Sequence, residues 1–91
     1  MNTLHIFSKP LSTFSTFRSV TVTSLISDSD GILLMGEACF DQASYQNLAS
    51  QQYVLSHCLV ARGITAHPSF SSISDVEWVT LIDNAKKSIT W

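Results

Sequence analysis

The apolar residues of this chain fall into short clusters separated by polar turns, and the clusters alternate between strand-like and helix-like spacing. Thr3 to Ser8 reads as a strand, with Leu4 and Ile6 on one face and Phe7 on the other. Lys9-Pro10 ends it, because proline donates no ladder hydrogen bond. Between residues 11 and 26, Leu11, Phe14, Phe17, Arg18, Thr21 and Leu25 line up at three- and four-residue steps. That spacing predicts a helix starting near Pro10. The β-branched run Val20-Thr21-Val22-Thr23 would also suit a strand, and the helix is preferred because a crossover must precede the next strand. Asp28-Ser29-Asp30-Gly31 is a turn. Ile32-Leu33-Leu34-Met35 is continuously apolar, as expected of a strand buried on both faces of a parallel sheet.

The second half repeats the alternation. Phe40 to Ala49 is expected to form a short helix in which Phe40, Ala43 and Leu48 are apolar and Asp41 and Gln42 are exposed near its start. Tyr53 to Ser56 reads as a strand that turns at once into a helix, with Ser56 as its N-cap and Gly63 at its stop. Ser69 to Ile73 is a weak fourth strand, polar enough to lie near an edge. Ser74-Asp75-Val76-Glu77 is a capping box opening the last helix. Trp78, Leu81, Ile82, Ala85 and Ile89 make its inward stripe, and Lys86 and Lys87 suit the negative end of its dipole. Ile89-Thr90-Trp91 reads as a final edge strand or a docked tail. The whole predicts one α/β domain over residues 1–91, built on a mainly parallel sheet of four to five strands with helices on both faces and right-handed crossovers.

Composition narrows the function. The chain has 91 residues, of which 45% are apolar but only 13% charged. That charge content is about half the ~25% typical of a soluble domain. A surface so short of charge predicts cover by partner chains. The net charge of −2 and the scatter of the five cations Lys9, Arg18, Arg62, Lys86 and Lys87 argue against direct nucleic-acid binding. The opening residues do not resemble a signal peptide, and no apolar run approaches the roughly 20 residues needed to span a bilayer. The expected setting is the cytoplasm, with both cysteines reduced.

In a parallel sheet, ligands bind beyond the C-terminal ends of the strands. Cys39 follows the second strand and Cys58 the third, so both thiols are expected on one rim. Cys58 lies at a strand-to-helix junction, where a thiol can be activated for persulfide or redox chemistry. The competing reading makes both cysteines small buried hydrophobes. His57 is expected to point away from Cys58, as sequence neighbours at a strand end do, and His5 and His67 are weak substitutes. No metal-ligand spacing and no glycine-rich phosphate loop is present. Asp41, Glu37 and Asp75 form no evident acid–base pair. Trp78 and Trp91 are candidate interface anchors, with core packing the simpler account of Trp78.

Several features occur together: Leu4-His5 in the first strand, the Ile32 to Met35 run followed by Glu37, the stretch Leu59-Val60-Ala61-Arg62-Gly63-Ile64, and Trp91 after a capped helix. In these features and in length, the chain resembles the TusB/DsrH family, small subunits of sulfur-relay complexes. Cys58 stands where that family often carries an acidic residue, and Ala38 where it carries glycine. The resemblance implies a DsrE-like α/β fold and a heterohexamer, a dimer of trimers with TusC-like and TusD-like subunits. Such a complex exchanges sulfur with TusA-like and TusE-like carriers and serves 2-thiolation of the wobble uridine of tRNA. It also implies that the sulfur-carrying cysteine belongs to the TusD-like subunit, leaving this chain no catalytic residue, cofactor or metal. Two alternatives remain open: a sulfurtransferase subunit carrying persulfide on Cys58 or Cys39, and a DsrH-type subunit of a sulfur-oxidation complex.

Overall fold

The computed structural model describes residues 1–91. Strand β1 (Thr3–Phe7) leads through a 3-10 turn at Leu11–Thr13 to helix α1 (Thr16–Ser24) and strand β2 (Gly31–Leu34). A second 3-10 segment, Gly36–Asp41, runs into the one-turn helix α2 (Gln42–Tyr45) and then strand β3 (Gln51–Leu55). Helix α3 (Ser56–Arg62), strand β4 (Ser71–Ile73), helix α4 (Asp75–Asn84) and strand β5 (Lys87–Thr90) complete the chain. The five strands form one parallel sheet in the order β4-β3-β2-β1-β5. The weak fourth strand does lie at an edge, and the last residues form the opposite edge strand.

This order fixes where the helices go. From β1 to β4 each crossover steps the same way across the sheet, so right-handed connections put α1, α2 and α3 on one face. The link from β4 to β5 steps back past β1, which sends α4 to the other face. The connections leaving β3 and β4 therefore diverge to opposite faces of the sheet. In open α/β sheets that divergence opens the crevice in which ligands bind.

β1 and β2 are buried throughout, as strands covered on both faces must be. The core centres on Leu4, Phe7, Ile32, Leu33, Leu34, Val54 and Leu55, all fully buried. Tyr45 joins them from α2, its ring 4.6 Å from that of Phe7 and its hydroxyl donating to the Lys9 carbonyl at 2.6 Å.

Several helical expectations are corrected. The first helix starts at Thr16 because Ser15 caps it, accepting from the Arg18 N–H. Phe17 and Leu25 face outward and Val22 is the residue buried from this helix. The β-branched run stays helical, with Thr21 and Thr23 donating their hydroxyls to the carbonyls of Phe17 and Ser19. Within Phe40 to Ala49 the helix is confined to the single turn of α2, with Ala43 exposed and Gln42 buried. Gln42 is inside because its amide ties three backbone groups, donating to the carbonyls of Cys39 and Thr65 and accepting from His67 N–H. Ser56 is the first residue of α3 and not its cap; Leu55 holds the cap position without a side-chain bond. Helix α4 is opened by the full capping box of Ser74 and Glu77, but it ends at Asn84, so Lys87 belongs to β5. Its inward side, Trp78, Leu81 and Ala85, is half-buried, and Ile82 is exposed.

Candidate functional site

The rim at the C-terminal ends of β2 and β3 collects the reactive side chains. Met35 N–H donates to the Phe7 carbonyl and Glu37 N–H to that of Ser8, which folds the 3-10 segment back over the end of β1. Gly36 makes that turn at φ +54°, and an added Cβ would sit 3.2 Å from the Ser8 oxygen. Its N–H is thereby aimed across the rim and donates to the Cys58 sulfur at 3.4 Å. The expected placement of Cys39 and Cys58 on one rim holds, and both are free thiols in the core.

The two thiols differ in setting. Burial pushes the Cys39 thiol up to about 11; neighbouring Cys58 adds to the rise and Arg62 opposes it. Cys39 is therefore a protonated thiol at neutral pH. Cys58 has polar neighbours: besides Gly36, its sulfur lies 3.5 Å from Nε2 of His57. The expectation that His57 points away from Cys58 is overturned. β3 ends at Leu55, so the pair occupies the first turn of α3, where successive side chains diverge by about 100° rather than the 180° of a strand.

His57 reaches across to the divergent edge. Its Nδ1 lies 2.7 Å from Oδ1 of Asp75, the first residue of α4. An ionised carboxylate only accepts, so Nδ1 carries a proton, and in the neutral tautomer that this selects, Nε2 presents a lone pair to Cys58. Asp75, unpaired with any base in the sequence reading, thus completes a chain Cys58–His57–Asp75 between β3 and β4. Glu37 pairs with Arg62 Nη2 at 3.3 Å, and Arg62 Nη1 donates to the Cys58 carbonyl. Asp41 is elsewhere, accepting from Leu11 N–H at 2.8 Å. A cavity of about 410 Å³ lined by Cys39, Phe40, Gln42, Gly63, Ile64 and Thr65 adjoins the rim.

The other candidates lie outside this group. His5 is buried between Asp30 and Trp91, and His67 Nδ1 accepts from the Ser69 N–H. Trp78 is half-buried and its indole N–H has no partner. Trp91 is half-buried, stacked on Phe7 and bonded to His5. Gly36, His57 and Asp75 are the participants that pattern reading missed. A signal was present for His57: with Ser56 capping a helix or opening it, His57 and Cys58 fall in the first helical turn, where neighbours diverge by about 100°.

No protein-family model matches this chain, and no curated protein matches it either.

Proposed function

We propose that this chain is a subunit of a sulfur-relay complex of the TusB/DsrH kind, which it helps to assemble and which serves 2-thiolation of tRNA. One observation carries the assembly role. Eight large apolar side chains are exposed on this chain: Phe17, Val20, Leu25, Phe40, Val60, Val76, Val79 and Ile82. Val76, Val79 and Ile82 recur every third residue along α4, and Phe17 and Val20 do so on α1. A surface that is poor in charge and arrays apolar residues on both faces of the sheet suits a chain enclosed by others. The resemblance supplies the kind of complex, and its two central motifs meet in space, Glu37 against Arg62. Gly63 ends that stretch in the left-handed conformation at φ 66°, with Ile64 N–H donating back to the Leu59 carbonyl. No helix is long and apolar enough to cross a membrane, which is compatible with the cytoplasmic setting of such a complex.

A second reading, that this chain itself carries sulfur, is favoured by the contacts of Cys58. Of the two thiols it selects Cys58, because Cys39 is held protonated.

Deleting the reading frame tests the main proposal. Loss of wobble-uridine 2-thiolation, restored by the wild-type chain, is the expected result. Full thiolation in the deletion strain contradicts it.

A further inference from the structure

The chain Cys58 Sγ to His57 Nε2 at 3.5 Å, and His57 Nδ1 to Asp75 Oδ1 at 2.7 Å, has the connectivity of a nucleophile, its base and the group that orients the base. It sits at the C-terminal end of β3, where the connections of β3 and β4 diverge. We propose that Cys58, His57 and Asp75, together with the Gly36 N–H, form a nucleophilic thiol site that attacks divalent sulfur: the terminal sulfur of a persulfide or one sulfur of a disulfide.

The donor pattern selects the electrophile. Acyl transfer develops charge on an oxygen and needs donors beside the nucleophile, at the place that oxygen will occupy. Here the rim N–H, that of Gly36, is aimed at Sγ itself, so it supports charge on sulfur. Cys58 is 6% exposed while His57 and Asp75 are open to solvent. A slender electrophile such as the end of a persulfide or disulfide suits that access. Reaction starts with the Cys58 proton passing to His57 Nε2. The thiolate then attacks the terminal sulfur of R–S–SH, the S–S bond breaks, and R–S⁻ leaves and takes the proton from the imidazolium. Cys58 gains one sulfur and R–SH is released, with no external oxidant or reductant. Attack on R–S–S–R leaves Cys58 joined to R–S and again releases R–SH. His57 acts as the acid and base; Asp75 is a positioning residue that fixes which ring nitrogen carries the proton.

The biological donor in this proposal rests on the reading that the chain carries sulfur, whereas the site itself rests on geometry. The test separates the two. In the folded chain, iodoacetamide is expected to modify Cys58 at least about tenfold faster than Cys39, and His57→Ala or His57→Gln should remove most of that advantage. The His57 side chain is exposed, and circular dichroism verifies that the variants remain folded. Nitrogen-15 NMR of His57 should show the Nδ1–H form in the wild type and the Nε2–H form in Asp75→Ala, with slowed alkylation. Equal rates in wild type and His57 variants, or an unchanged tautomer in Asp75→Ala, overturn the site. Incubation with glutathione persulfide or with oxidised glutathione, read by intact mass, then identifies the donor. Gain of one sulfur at Cys58 selects a persulfide; a glutathione adduct without sulfur uptake selects a disulfide and sinks the sulfur-carrying reading alone. Reaction with neither overturns the proposal.

Discussion

The indole N–H of Trp91 donates to Nδ1 of His5 at 3.1 Å, joining residues 86 positions apart in sequence. Because Nδ1 accepts, Nε2 carries the ring proton and donates to Oδ2 of Asp30 at 2.9 Å. Asp30 also accepts from the N–H groups of Ser27 and Thr3, so one buried carboxylate ties β1, the turn before β2 and the final residues together. Removing it leaves several buried donors unmatched. Asp30→Ala is therefore expected to cost about 3 kcal/mol, measured by urea denaturation.

The same carboxylate sets the acid limb of stability. Burial alone would raise its pKa, but hydrogen bonds from His5 and Ser27 outweigh burial and hold it below the usual value. A group lowered in the folded state stabilises at neutral pH, and that contribution is lost as pH falls through its folded value, below about 4. In a pH series of urea titrations, Asp30→Asn should be less stable than wild type at neutral pH, with the gap closing in acid.

Cys39 makes the opposite contribution in alkali. Its folded value of about 11 lies above the ordinary 9.0. The thiol therefore favours the folded state below pH 9.0, and the contribution is lost as pH rises towards about 11. Burial also pushes the Tyr45 phenol up, so it acts in the same direction at higher pH. Cys39→Ala is expected to flatten the first part of the alkaline decline, as read by thermal denaturation.

Two helix ends offer smaller, separable effects. Ser74→Ala removes the side-chain acceptor of the capping box and should cost about 1 kcal/mol. Gly63→Ala meets no atom within 4 Å, so its cost is backbone strain alone, again about 1 kcal/mol. The sites share no partner, and the double variant should lose the sum, as checked by urea denaturation.

Much of the fold was legible because its signals are local. The Ile32 to Leu34 run, the Ser74–Glu77 box and the Gly63 stop each follow from a few adjacent residues. Buried faces outside the sheet were less so. Phe17 and Leu25 fit a helical stripe, but the side of α1 that packs on the sheet is that of Val22. Tyr45 and Gln42 are inside because of partners far away in sequence, Lys9 and Thr65, which periodicity cannot see. At the rim, the placement of both thiols followed from strand order alone. The meeting of His57, Cys58 and Asp75 depended on the residue at which β3 becomes α3, and on β4 lying beside β3. His57 and Cys58 lie in the helix that follows β3, so the 180° alternation of a strand does not apply to them.

The assembly role is tested most directly by native mass spectrometry of this chain co-expressed with TusC-like and TusD-like subunits from the same genome. The expected species is a hetero-oligomer containing all three chains, a dimer of trimers, that weakens when Val76 and Val79 are replaced by aspartate. A folded monomer that stays apart from both partners would contradict it.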